Sequence, residues 1–171
     1  MYGGLCRATE EKAVMSKVTP AAEKENGRTV VLLDLNYTLV GNQAESREAA
    51  GGRFEKRMER ERYRKWLQDF IQDRYVIIIT ARPGQYREKS LENIRTLLDW
   101  QPDEAYFNEK DLSPPECKRD ILERYIFPKH GRPGERVTYI AIESNPRTAR
   151  MYSSFGIPAL RVWDERQYGT R

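Results

Sequence analysis

Long apolar runs, cysteine and histidine are what this 171-residue chain has least of. No apolar run approaches the roughly 20 residues that a membrane-spanning helix requires, so no membrane association is expected. The two cysteines, Cys6 and Cys117, lie far apart in no metal-like spacing. A disulfide framework is therefore not indicated, and a reducing cytoplasm is the expected location. The N-terminus has no apolar segment of the signal-peptide kind. The single histidine, His130, follows Pro128-Lys129 and is expected in a loop without a role. An excess of either charge is also small: 30 Lys and Arg stand against 26 Asp and Glu, for a net +4. That balance describes a highly charged surface, with a slight preference for anionic or phosphorylated partners.

What the chain does have is an alternation of strand and helix signals. Its length suits one domain. Residues 1–27 show no sustained apolar period and read as a loosely ordered tail, leaving 28–171 as the domain. Thr29-Val-Val-Leu-Leu33 and Tyr75-Val-Ile-Ile-Ile79 are continuous apolar runs of the kind that both-face-buried strands show. Glu104–Phe107, Val137–Ile142 and Ile157–Val162 complete five predicted strands. Between the first two, Phe54, Met58, Trp66, Leu67, Phe70 and Ile71 are placed on one helical stripe. Leu91, Ile94, Leu97 and Leu98 mark the next helix; Pro114-Pro115 opens another, and Pro146 begins one that Gly156 ends. Strands separated by helices imply parallel βαβ units, hence an α/β, doubly wound, mostly parallel sheet. Ligands of such sheets bind at the carboxyl ends of the strands, near the switch in strand order.

Those ends carry a distinctive set. The first strand leads into Asp34-Leu-Asn36-Tyr37-Thr38, the second into Thr80-Ala-Arg82, and the fourth into Glu143-Ser144-Asn145-Pro-Arg147; Lys118 lies at the start of the helix before the fourth. Taken singly each has a plain explanation: a turn-forming Asp, a capping Thr, a surface Lys, a Glu paired with an Arg. Acid, hydroxyl, lysine and acid in that order along one sheet edge is the informative pattern.

The order resembles the haloacid dehalogenase (HAD) superfamily over about residues 29–162. Val30-Val-Leu-Leu-Asp34-Leu-Asn-Tyr-Thr38-Leu resembles its first motif, Ile77-Ile-Ile-Thr80 its second, Lys118 its third and Ile140-Ala-Ile-Glu143 its fourth. Thr-Ala-Arg-Pro and Glu-Ser-Asn-Pro-Arg are similar to the polynucleotide 3′-phosphatase branch. The resemblance implies a Rossmann-like fold and a phosphohydrolase in which Asp34 attacks phosphorus and becomes an aspartyl-phosphate, splitting one displacement into two. It implies Mg²⁺ as cofactor, held by Asp34, the carbonyl of Asn36 and Glu143. Thr80 and Lys118 would hold the transferring phosphoryl oxygens, and Arg82, Thr38, Tyr37 and Arg147 would contact substrate.

Two positions depart from that pattern. The family's phosphatases carry a second Asp where this chain has Asn36, and a carboxamide cannot shuttle a proton; loss of a general acid/base typically costs about 10²–10⁴-fold. Ser144 stands where a second acid of the fourth motif would be. Three readings follow: a slow or specialised phosphohydrolase acting on phosphorylated nucleotide or polynucleotide ends; an impaired domain that binds phosphate, nucleotide or nucleic-acid ends without turnover; and an interaction module that kept only the fold.

The stretch between Asp34 and Thr80 is read as a loop and one helix, with little or no cap, so an open site would suit a bulky substrate. That helix carries Arg53, Lys56, Arg57, Arg60, Arg62, Arg64 and Lys65 among Glu55, Glu59 and Glu61. Ion pairs on a solvated face explain these charges best; phosphate-backbone contacts are the alternative. Trp66, Trp100 and Trp163 are expected to pack.

Overall fold

Alternation along the strands decides the architecture. In the first strand, β1 (Arg28–Leu33), Val30 and Leu32 point to one face of the sheet and Val31 and Leu33 to the other, and all four are buried. A strand apolar on both sides needs a helical layer on each. The computed structural model, which describes residues 28–42, 45, 46, 48 and 53–162, supplies both. The tail expected over residues 1–27, Cys6 and Trp163 lie outside the described residues.

Along the chain, β1 is followed by α1 (Phe54–Met58), α2 (Lys65–Ile71), β2 (Tyr75–Pro83) and α3 (Arg87–Leu98). Then come β3 (Glu104–Asn108), α4 (Pro114–Ile121), a π-helical turn (Leu122–Ile126) and α5 (Phe127–His130). The last elements are β4 (Val137–Glu143), α6 (Pro146–Ser154) and β5 (Ala159–Arg161). The five strands form one sheet in the order β3-β2-β1-β4-β5, every pair parallel. This is the doubly wound α/β fold expected. One face packs on Leu67, Ile71, Ile94 and Leu98 from α2 and α3. The other packs on Cys117, Ile121, Ile126, Phe127, Met151 and Tyr152 from α4, the turn after it, α5 and α6. The order reverses between β1 and β4, so the crevice that such sheets use for ligands opens above those two strands.

Helix ends follow their local chemistry. Ser113 and Glu116 form a reciprocal capping box ahead of Pro114. The Asn145 side chain accepts from the backbone N–H of Arg147 and Thr148 at the start of α6. After α6, Gly156 takes a φ of 74°, a left-handed turn that glycine adopts without strain.

The region between β1 and β2 differs from the sequence expectation. One stripe from Phe54 to Ile71 was expected; there are two short helices, separated by an extended segment. The segment is captured by the loop after β1. Val40 bridges Tyr63 antiparallel, the N–H of Gly41 donates to Arg62 O at 2.8 Å, and Asn42 clamps Arg60 O and Arg62 N through its side-chain amide. Tertiary pairing thus overrides a helical period. Leu67 and Ile71 face the core, whereas Trp66 and Phe70 are 60% and 69% exposed, against the packing role expected of them. Trp100 packs against the core as expected. Among the described residues no helix is long and apolar enough to cross a membrane.

His130 is not a loop residue. It ends α5 and meets Glu104 at 2.7 Å, at the end of the sheet opposite the crevice. Glu104 also accepts from Tyr75 Oη (2.6 Å), Tyr106 Oη (2.7 Å) and Lys129 Nζ (2.9 Å). Burial alone would raise its carboxyl, but the bonds from Tyr75, Lys129, Tyr106 and His130 outweigh that and lower it from 4.5 to about 2. A depressed carboxyl stabilises the fold above its unfolded pKa and loses that effect as pH falls through the folded one. Glu104→Gln is therefore expected to lower unfolding free energy at pH 7 by about 2 kcal/mol, read by urea denaturation. The gap to wild type should close as pH falls from 4.5 towards 2.

Candidate functional site

Asp34 is the first residue beyond β1, and its N–H continues the ladder to Ile142 O at 3.0 Å. The chain then turns back on itself, Val40 N–H donating to Leu35 O at 2.9 Å. The turn needs a left-handed residue, and that residue is Tyr37, at φ 63°. A side chain there costs about 1–2 kcal/mol, offset by Arg64, which donates from Nη1 to Tyr37 O (2.7 Å) and Thr38 O (2.6 Å). The curl brings Thr38 Oγ1 to within 2.7 Å of Asp34 Oδ2, where it donates.

Lys118 occupies the fifth position of α4 rather than its start, and is 1% exposed. Its ammonium lies between two carboxylates, 2.5 Å from Asp34 Oδ1 and 2.6 Å from Glu143 Oε2. Parallel register sets the geometry: Leu33 is level with Ile142, so the next residues, Asp34 and Glu143, leave adjacent strands side by side. The other Glu143 oxygen accepts from the N–H of Ser144 and Asn145, both at 2.9 Å. Burial would lower the lysine, yet Asp34 and Glu143 raise it above its usual value, so it stays charged. Glu143 is pushed up, by burial first and by Asp34 next.

The remaining expected residues divide. Thr80 comes to the same edge, fully buried, and its hydroxyl accepts from the N–H of Arg82 at 3.2 Å. Tyr37 is half-buried on the turn. Arg147 is exposed on the first turn of α6. Arg82 differs most from its expected part in substrate binding, because its guanidinium is only 1% exposed and all five N–H groups are engaged. Nε and Nη2 donate to Asn36 Oδ1 (3.3 and 2.7 Å), Nη2 and Nη1 to the Glu61 carboxylate (2.6 and 3.4 Å), and Nη1 to Ser90 Oγ (2.9 Å). A guanidinium so used has no fork left for phosphate.

Glu61 is the residue that sequence reasoning missed. It sat in a run of alternating charge and read as one of several surface pairs. In the fold it is buried, paired with Arg82, and accepts from Tyr63 Oη at 3.0 Å. No spacing rule could have found it, since its partner is 21 residues away, on β2.

For a cation, the donors are hard oxygens. Asp34 offers a carboxylate, and the side chain that reaches the Asn36 carbonyl is that of Ser144, with Oγ at 3.4 Å, while Glu143 is turned to Lys118 and two amides. Among the described residues no three His, Cys, Asp or Glu side chains gather into a metal cage. Yet Lys118 balances only one of its two carboxylates, so the pocket keeps a negative surplus. Mg²⁺ is commonly held by one or two carboxylates while keeping several waters, and this donor set fits that sparse mode.

No family model matches the chain, and no curated protein matches it. A solved structure does: a chain of the Pnkp1/Rnl/Hen1 RNA repair complex, with a TM-score of 0.58 at 13% identity. The match covers 92% of this chain and 48% of that one, so the chain spans about half the length of its structural neighbour. At this identity the likeness is one of fold.

Lys118→Met would leave two buried carboxylates facing each other. Breaking such a contact costs about 3–5 kcal/mol, and urea unfolding should show that loss at pH 7–8. The Glu143 carboxyl is pushed up, so its protonation favours the folded state, and the penalty should shrink as pH is lowered. A penalty that does not change with pH would separate the lysine from these carboxylates.

Proposed function

We propose that the chain is a Mg²⁺-dependent phosphohydrolase of the haloacid dehalogenase type, with Asp34 as nucleophile. The observation that carries this reading is the Lys118 ammonium, seated between Asp34 and Glu143 at the switch point of the sheet. A carboxylate acting as nucleophile must be held in place with one oxygen free to attack, and the lysine on Oδ1 fixes its position. Thr38 orients the other oxygen. Thr80 and Lys118 are the groups to hold the phosphoryl oxygens, with Tyr37 and Arg147 at the rim. Asp34 and the Asn36 carbonyl, with Ser144 beside it, would hold Mg²⁺. When bound, the ion would offset the repulsion between an anionic phosphate and an anionic nucleophile. Phosphorylated nucleotides or polynucleotide ends are the proposed substrates. The fold shared with a chain of an RNA repair complex supports that choice, as does the exposed Arg62 on the segment next to Glu61.

One observation favours a second reading, a binder without turnover: Asn36 stands where a proton carrier is needed, and its carboxamide is tied to Arg82.

Phosphate release from an aryl phosphate and from phosphorylated nucleotides, with and without Mg²⁺, tests the proposal. Asp34→Asn is expected to reduce the rate by at least about 10²-fold, the scale on which essential groups act. Equal rates in wild type and Asp34→Asn would end the enzyme reading. Retention of Mg²⁺-dependent nucleotide binding alongside equal rates would select the binder.

A further inference from the structure

Trp66 and Phe70 have no place in the core. Leu67 and Ile71 turn α2 towards the sheet, and the two rings stand on the flank beside them, 60% and 69% exposed. They are four residues apart on one helix, so they share a face and one turn, about 6 Å, separates them. The opposite flank, at Gln68, is buried. In a right-handed β1-α2-β2 crossover the flank that carries the rings points away from α3, to the β4 side of the helix, and the crevice opens above β1 and β4. The start of α2 is fixed to the site. Arg64, the residue before it, gives its N–H to Leu39 O at 2.8 Å and its guanidinium to the carbonyls of Tyr37 and Thr38. Trp66 lies two residues beyond that anchor, and Phe70 one turn farther from the site.

Charge singles out the same place. Residues 53–65 hold seven Lys or Arg and three Asp or Glu, a net +4. That equals the net charge of the whole chain, so the charges elsewhere balance. One of the three acids, Glu61, is buried against Arg82 and gives nothing to the surface, whereas Arg62 beside it is exposed. Lys65 meets Asp69 at 2.9 Å next to the rings, with both side chains exposed. Such a pair holds so weakly that a phosphate can take the lysine from it. Area argues against a protein partner: two rings bury at most about 500 Å², short of the roughly 800 Å² per partner of a stable interface. A nucleobase needs one ring to stack on, and a single strand is held by successive rings beside cations.

We propose that Trp66 and Phe70 form a stacking platform for single-stranded nucleic acid. The strand leaves the crevice along this flank of α2, with its bases on the two rings and its phosphates against Arg62 and Lys65. This rests on the reading of phosphorylated polynucleotide ends as the ligand, and narrows that class to single strands long enough to reach from the crevice to the rings. In a duplex each base face is already taken up by its neighbours, so the platform favours unpaired ends over paired ones and polynucleotides over mononucleotides.

The test is binding of the full chain, read by fluorescence anisotropy, to end-phosphorylated single strands of increasing length and to a duplex of the same sequence. Affinity should rise with length until the strand reaches Phe70, then level off, and should exceed that for the duplex. Trp66→Ala and Phe70→Ala remove exposed rings and leave the core intact. Each should weaken the longer strands by about 5–150-fold, the worth of one base–aromatic stack. Trp66→Phe, which keeps a ring, should recover most of that loss. Arg62→Ala should reduce the slope of log K against log salt by about 0.7, the share of one phosphate contact on a single strand. Ring variants that bind every strand as wild type does would overturn the inference, while the comparison of wild type with Asp34→Asn would still decide the nucleophile. Ring-dependent binding with equal phosphate release in wild type and Asp34→Asn would support the platform and overturn the phosphohydrolase reading alone. Self-association that Trp66→Ala abolishes, with no ring-dependent strand binding, would give the rings to a second copy of the chain and overturn the inference.

Discussion

The lysine between two carboxylates is the interaction on which the rest of the sheet edge depends. Parallel register sets Asp34 and Glu143 side by side, an arrangement that two buried negative charges would not tolerate alone. Lys118, reaching across from α4, makes it tolerable. Desolvating three charged groups gains little net stability, because attraction is spent largely on the cost of leaving water. What the contact gives is position. It ties the helix on one face of the sheet to the ends of two central strands, and it orients the Asp34 carboxylate at their edge.

A second buried ion pair does the same work on the other side of Asp34. Arg82 and Glu61 are both withdrawn from solvent, and neither would be stable there unpaired. The chain reshapes itself to keep them together: the helical pattern after residue 58 is interrupted, and residues 60–64 are drawn into extended pairing with 39–42. Arg64, carried by that segment, then donates to the carbonyls of Tyr37 and Thr38 and supports the left-handed turn. The buried pair orients Asn36, while the segment that carries Glu61 also holds the break between α1 and α2 and, through Arg64, the left-handed Tyr37.

The layers of the fold were legible because they follow from period and punctuation. Apolar runs at Val30–Leu33 and Val76–Ile79 could only be strands buried on both faces, and Pro114, Pro146 and Gly156 mark helix ends by backbone chemistry. Asp34, Thr80 and Glu143 could be placed because strand ends in a parallel sheet share an edge. The parts that could not be read depend on partners distant in sequence. Arg82 looked like a phosphate ligand because it follows Thr80 at a strand end and a guanidinium matches phosphate. Glu61 looked like surface charge because basic residues flank it in sequence, and Trp66 and Phe70 appeared to pack because their spacing fits a stripe that the pairing of Tyr63 with Val40 interrupts. Glu104 and His130 carry no motif, and their contact exists only once β3 and α5 meet.

Charge at the edge constrains any ligand more tightly than shape does. The Arg82–Glu61 pair is neutral as a unit, and Lys118 answers only one of its two carboxylates, so the crevice holds a negative surplus that falls on Glu143, whose carboxyl is pushed upward by burial and by Asp34. A phosphate dianion entering alone would meet like charge in a medium that screens it poorly. Relief can come from a cation carried in with the ligand or from a proton held on Glu143. A proton there would leave Lys118 more fully available to Asp34 and to an incoming oxygen, whereas a cation would act at the Asn36 carbonyl, on the side where the Ser144 hydroxyl lies. The two routes respond oppositely to pH, because protonation of Glu143 is favoured as pH falls and cation binding as pH rises. With Lys118 committed to both Asp34 and Glu143, that relief rests on the cation or proton that arrives with the ligand.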